Sequence, residues 1–329
     1  MRRWGKILLS IILAIVILLG AFLLYISSTD YKPEDVVAVN VQRNQETQLA
    51  SDQIFSITSF NLGYGGLDKN EHFFMDGGSN SRASSKEKVE ENMMAIGDFL
   101  KTTDSDFYFL QEVDRDSTRS FHINEEDYLM EKLPQYSSTF AQNYLVKWVP
   151  VPITKPHGSV DSGLVTLAKY QIDESKRFSL KGQESWPRQL FELDRSMLEQ
   201  RIPLSNGKEL VLINAHLSAY DKGGKVRKQQ LGFIEDYLTD EFEKGNYIII
   251  GGDWNHSIPT TDPTIFPTTE TWPDWLQMIP DDFLSEGFQW VADRTVPTSR
   301  TIAKSYVEGH SLGFEHSDHN PVTAKFKLK

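Results

Sequence analysis

The chain of 329 residues contains no cysteine. That absence excludes disulfide cross-links and thiolate chemistry, and it leaves any bound metal to oxygen and imidazole donors. There is also no internal repeat, no low-complexity run and, beyond residue 50, no linker rich in Pro, Gly and Ser, so one large domain is expected there. Basic residues are in deficit: 34 Lys and Arg stand against 46 Asp and Glu, a net charge of -12. A surface of that sign does not capture nucleic acid loosely. It leaves room for a local positive cleft or a bound divalent cation. With 39% apolar and 24% charged residues, the chain can bury a full core.

The N-terminus carries the plainest signal. Arg2, Arg3 and Lys6 form a basic head, and residues 7–26 are uncharged and almost wholly apolar. At about 1.5 Å per residue a helix of that length spans roughly 30 Å, the thickness of a bilayer core. The apolar run is longer than the core of a cleaved signal peptide, and Phe22, Leu23, Leu24 and Tyr25 stand where small residues would precede a cut. The reading is an uncleaved anchor through residues 7–26 of a lipid bilayer. By the positive-inside rule it keeps its basic head in the cytoplasm and sends the rest of the chain to the outer face of the cell membrane. Residues 1–28 are then head and anchor. Residues 29–51 are polar and aperiodic and read as a tether, and residues 52–329 form the folded domain.

Within that domain, strand-length runs rich in β-branched and aromatic residues recur at 54–60, 107–113, 163–168, 190–193, 210–217, 247–251 and 321–328. Helical patterns lie between them at 85–100 and 223–238, the second opening on a basic first turn that suits the helix dipole poorly. The interspersion predicts two packed sheets with helices outside, an α/β sandwich.

Several of these strands end in polar groups that a core would not select. One leads to Asn61, another to Glu112, a third to His216, a fourth through Gly251 and Gly252 to Asp253, Trp254 and Asn255; Ser317-Asp318-His319-Asn320 precedes the last. Strand ends are where a rigid sheet can fix reactive groups while loops leave room for a substrate. Each has a plain alternative taken singly. Asn61 and Asp253 sit beside glycines and suit turns, Glu112 suits a solvated terminus, and His216 suits a satisfied core position. Their joint occurrence in this order favours one site.

The segments Phe109-Leu110-Gln111-Glu112-Val113, Gly252-Asp253-Trp254-Asn255 and Ser317-Asp318-His319-Asn320-Pro321 together resemble the endonuclease/exonuclease/phosphatase superfamily, which includes deoxyribonuclease-like nucleases, neutral sphingomyelinases and inositol-phosphate phosphatases. The resemblance runs over about residues 52–329 and looks most like a membrane-tethered bacterial branch. It implies a four-layer α/β/β/α sandwich of two mixed sheets and a metal-dependent hydrolase of phosphate esters. Glu112 and Asn61, with Asp318 on the same side, would hold Mg²⁺ or Mn²⁺, hard ions that favour oxygen donors. Asp253 would activate the attacking water. Asn255 would donate to the phosphate, and His216 and His319 would stabilise the transition state. Arg195 matches a phosphate-binding arginine of the nuclease branch, although a surface strand arginine fits the sequence equally well.

The sequence departs from the family in one place. An apolar strand with an aspartate that orients the last histidine is expected before Asp318, and residues 293–316 offer none. Either Glu308 or Glu315 takes that role, or His319 is poorly held and the chain is a surface-displayed binding protein whose catalysis has decayed. The substrate stays open between a phospholipid head group, which suits the anchor, and nucleic acid, which suits Arg195 and the basic group Lys222, Lys225, Arg227 and Lys228. No obligate protein partner is implied. The segment with Trp148 and Pro150 reads as a structural loop that could face lipid or substrate. His72 and Asp76 read as part of a solvated insertion, and Trp272, Trp275 and Phe283 as core.

Overall fold

The computed structural model describes residues 2–221, 223–259, 275–291, 298 and 312–328. Helix α1 (Arg2–Ser28) is followed by two short strands, β1 (Val36–Ala38) and β2 (Val41–Gln42). Then come β3 (Ile54–Asn61), α2 (Lys86–Thr103), β4 (Phe107–Asp114), α3 (Glu125–Lys132), β5 (Ser137–Val149) and β6 (Gly158–Ala168). The second half holds β7 (Glu174–Ser179), β8 (Ser196–Pro203), β9 (Glu209–His216), α4 (Lys225–Glu243), β10 (Tyr247–Asp253) and β11 (Val322–Lys327).

Two mixed sheets form. One has the order β1-β7-β8-β9-β10 and the other β11-β3-β4-β6-β5-β2. Phe55, Ile57, Phe107 and Phe109 of one sheet meet Ile202, Leu210 and Leu212 of the other and make the central apolar layer. Helices α2 and α3 cover the outer face of the six-stranded sheet through Met93, Ile96, Leu100 and Leu129. Helix α4 covers the five-stranded sheet through Leu231, Ile234 and Leu238. The result is the α/β/β/α sandwich that the sequence predicts, with the core divided into an inter-sheet layer and two helix-sheet layers.

Local chemistry explains the helix ends. The Ser85 side chain accepts from the Lys88 amide and opens α2, satisfying a donor that the helix itself leaves unpaired. Helix α4 has no side-chain cap, and its basic first turn is offset another way: the Arg227 amide donates to Asp221 Oδ2 at 2.9 Å and the Arg227 guanidinium is fully buried.

Two expectations need correction. Residues 29–51 are not a free tether: β1 pairs antiparallel with β7, β2 pairs with β5, and Leu49 is completely buried. The run at 190–193 is not a strand but the end of a 3-10 turn, Arg188–Phe191, because a four-residue apolar run does not by itself distinguish strand from turn. The segment expected to carry an extra strand lies largely outside the described residues.

Candidate active site

Strand register assembles the site. In the parallel pairing of β9 with β10, Asp253 stands opposite His216; in that of β3 with β4, Asn61 stands opposite Gln111, next to Glu112. Gly252 makes the first of these possible: its φ is +129°, and a Cβ there would lie 2.0 Å from the Ala215 carbonyl oxygen. Glu112 is aimed by a bulge. Between Leu110 and Val113 the pairing of β4 with β6 slips, so that Gln111 and Glu112 together face Leu164, and Glu112 adopts a left-handed φ of +53°. A bulge and a left-handed non-glycine residue cost local stability and recur where a side chain must be re-aimed.

Asp253 is the hub. Its Oδ2 accepts from Asn61 Nδ2 at 3.0 Å and lies 3.6 Å from His216 Nε2 and 3.4 Å from His319 Nε2. Its Oδ1 accepts from the Asn255 amide at 3.0 Å. Asn61 Nδ2 also reaches Glu112 Oε1 at 3.2 Å, while its own Oδ1 accepts from the Gly63 amide. The Asn255 side chain donates to the Leu217 carbonyl, which closes the loop after β10 onto the end of β9. All eight residues singled out from the sequence therefore converge on one cleft: Asn61 through these bonds, and Glu112, Arg195, His216, Asp253, Asn255, Asp318 and His319 in its lining.

His319 is held more firmly than the sequence leads one to expect. Its Nδ1 lies 2.9 Å from Asp318 Oδ1, and its amide donates to Ser317 Oγ, which in turn donates to the Asn61 carbonyl. Burial opposes a charged imidazole, but the Asp318 carboxylate and the hydrogen bonds to Asp253 and Asp318 outweigh it and raise His319 to about 10. Glu315, offered from the sequence as its partner, ion-pairs instead with Lys69 at 2.5 Å; Glu308 lies outside the described residues. Asp318, placed on the metal side by the sequence, spends one oxygen on His319.

The sequence did not reveal the cation behind Glu112. Arg119 is buried, grips Asp114 through two bonds of 3.0 and 2.8 Å, sits 4.0 Å above the Tyr64 ring and brings Nη1 to 3.7 Å from Glu112 Oε2. No strand leads to it, so the pattern that exposed the other residues passes over it. Arg195, immediately before β8, lines the cleft, and its Nη1 is buried without a hydrogen-bond partner among the described residues. Burial works against its charge, while Glu112 and Asp253 favour it. An unsatisfied guanidinium nitrogen in a cleft is an anion site in waiting.

The basic group proposed for a nucleic-acid backbone is divided by burial. Lys225 and Lys228 are exposed, but Arg227 is buried and spends its guanidinium on the Asp221, Asn255 and Trp275 carbonyls; Lys222 lies outside the described residues. The insertion with Asp76 is no mere solvated loop either, since Phe73, Phe74 and Met75 line the cleft and Asp76 accepts from Tyr220. Trp275 lines the cleft, Phe283 packs on Trp254 in the core, and Trp272 lies outside the described residues.

The oxygen donors beside Glu112 suit a hard divalent cation. Burial pushes the Glu112 carboxyl up, Arg119 pulls it down and Asp318 pushes it up again, and a divalent cation would relieve the repulsion between these two acids. Among the described residues no group of three or more His, Cys, Asp or Glu is arranged to hold a metal ion, so an ion here would rely on waters and substrate oxygens as well, as Mg²⁺ does.

No family model and no curated protein sequence matches the chain. Solved structures do. An endonuclease/exonuclease/phosphatase from Beutenbergia cavernae DSM 12333 superposes with a TM-score of 0.57 at 19% identity, covering 84% of this chain and 72% of that one. ANGEL2, a 2',3'-cyclic phosphatase in complex with adenosine-2',3'-vanadate, gives 0.53 at 17% identity over 89% and 99% of the two chains. The human Nocturnin catalytic domain with bound sulfate anion gives 0.51 at 15% identity over 88% and 97%. The sandwich of two mixed sheets thus agrees with the expectation from sequence: the chain has the endonuclease/exonuclease/phosphatase fold.

Proposed function

We propose that the protein is a phosphoesterase that cleaves its substrate by in-line attack of water, anchored in the membrane by α1 with its cleft on the outer face. The observation that carries this reading is the Asp253 carboxylate, in reach of Asn61, His216 and His319 and in one cleft with Glu112 and Arg195. Asp253 receives the proton of the attacking water, because it is the one carboxylate of the cleft flanked by both histidines. His319 and His216, both beside Asp253, face the phosphoryl oxygens and stabilise the charge that builds there. Arg195 and the Asn255 region bind the phosphate. Glu112, Asp318 and Asn61 would hold Mg²⁺ or Mn²⁺, which when bound polarises the phosphoryl group. Arg2, Arg3 and Lys6 on one side of the apolar helix support the outward orientation.

The test is hydrolysis of bis(p-nitrophenyl) phosphate by the full-length chain in mild detergent, with Mg²⁺, with Mn²⁺ and with chelator. Asp253→Asn and His319→Asn are expected to lower turnover by about 10²–10⁴-fold each, with little change in KM. Turnover within threefold of the parent in both variants would remove this reading.

A further inference from the structure

Resting on the phosphoesterase reading, we infer that the substrate is a phospholipid of the bilayer that holds α1, taken directly from its surface. The first observation is where the anchor docks. The last turns of α1 lie against the rim of the catalytic cleft: Phe22 stacks on Phe191 at 6.2 Å with the rings 13° from parallel, and Trp186 Nε1 donates to Ser27 Oγ. Phe191 lines the cleft, and its carbonyl accepts from Tyr144, another lining residue. The connection has little freedom beyond the helix, because Arg177 lies over the Tyr31 ring and β1 is hydrogen-bonded into the sheet. The anchor therefore fixes which face of the domain meets the membrane, and that face carries the cleft.

The second observation is the chemistry of that face. At the end of β5 and in the turn that follows, residues 147–155, Trp148, Val151 and Ile153 are exposed, Ile153 to 89%, and Lys147 and Lys155 flank them, also exposed. Val149, the last residue of β5, and Val151 line the cleft, so this segment joins the cavity to the outer surface. Trp186, beside the helix end, is 59% exposed. Exposed Trp and aliphatic groups around the cleft against which the end of α1 packs, with lysines at the edge, match the interface of a bilayer and its anionic headgroups. In water alone the same groups would cost free energy.

The third observation is the cavity. Its volume is about 300 Å³, and beside the polar site residues it is lined by apolar groups, Phe73, Phe74, Met75, Leu193 and Trp275 among them. A polar site with a single unsatisfied arginine fits one phosphodiester, and the apolar lining fits the glycerol and first carbons of acyl chains. A polyanionic strand needs a basic track, and Arg227, in the middle of the basic group at the start of α4, is buried. In the reaction the water oxygen bonds to phosphorus, one P–O ester bond breaks, and the water proton ends on the departing oxygen. A phosphodiester lipid thus becomes a phosphomonoester and an alcohol.

The experiment uses the full-length chain in vesicles of equal parts phosphatidylcholine, phosphatidylethanolamine, phosphatidylglycerol and sphingomyelin with Mg²⁺, read by ³¹P NMR of the detergent-dissolved lipids. Conversion of a diester resonance to a monoester resonance is expected. The double variant Trp148→Ser/Ile153→Ser is expected to lower that conversion at least tenfold while bis(p-nitrophenyl) phosphate turnover stays within twofold. Unchanged lipid resonances alongside cleavage of the soluble diester or of a single-stranded oligonucleotide would overturn the lipid inference and leave the phosphoesterase reading standing. So would lipid turnover indifferent to the double variant. No cleavage of any of these probes would remove the phosphoesterase reading itself.

Discussion

Removing the Arg119 charge should unfold the site from behind. Arg119→Met keeps much of the side-chain length and deletes the guanidinium, whose side chain is 6% exposed and whose partner Asp114 is fully buried. Asp114 would keep the Ser120 hydroxyl at 2.8 Å and lose both bonds of its ion pair. Glu125 worsens the deficit: burial and the Asp114 charge already push its carboxyl well up, and Arg119 is among the few groups that counter this. Breaking a buried pair from one side costs about 3–5 kcal/mol because a charge is stranded. At about 2.1 cal/mol/K of unfolding entropy per residue, a kilocalorie shifts the melting midpoint of a 329-residue chain by about 1.5 °C, so a fall of roughly 4–8 °C is expected. Circular dichroism melts of the full-length chain in mild detergent measure it. Adding Asp114→Asn to the variant removes the stranded charge and should restore about half of the loss. A midpoint within about 3 °C of the parent, or no recovery in the double variant, would show that Asp114 is stabilised by something other than Arg119.

Two further outcomes test the geometry. Gly252→Ala places a methyl group against the Ala215 carbonyl at a φ of +129°, so stability should fall by about 1–3 kcal/mol and phosphodiester turnover with it; a melt and a rate both equal to the parent's would contradict the pairing of Asp253 with His216. His157 is buried against the Ser81 carbonyl, and burial together with Arg119 lowers it to about 3. Below about pH 6.5 the unfolded chain takes up a proton that the folded one refuses, so this contribution is intact above that pH and is lost as the pH falls toward 3. The loss is at most about 1.4 kcal/mol per pH unit. Denaturation midpoints at pH 7 and pH 5 should therefore converge in His157→Gln, and equal pH dependence in parent and variant would refute the buried neutral imidazole.

The features legible in the sequence were those with a period or a terminus. Helix α1 declares itself by length, and β3, β4, β9 and β10 are apolar runs that stop at a polar residue, which is how the cleft was found. Strands β7 and β8 were hidden because charge interrupts them: Arg201 lies in a network with Glu199, Glu209 and Glu241, so the run that crosses it does not read as apolar. Strand β5, with Gln142 and Asn143 at its middle, was hidden for a similar reason, since Asn143 is buried by bonding to Ser196 across the sheets. Arg119 and Tyr64 were beyond pattern reading altogether. Their role depends on proximity to Glu112, and no local spacing encodes that proximity.

The doubled residue opposite Leu164 has a bearing on which length changes β4 can tolerate. Side chains along a strand alternate between faces, so the order of inward and outward positions changes parity at that point. Shortening the strand by one residue there would restore regular pairing and, in doing so, turn the carboxylate away from the cleft or carry Val113 out of the helix-facing layer. Sequences that keep both the carboxylate and the following apolar residue must therefore keep the surplus residue between them, and an insertion or deletion in this stretch should be far less acceptable than many substitutions.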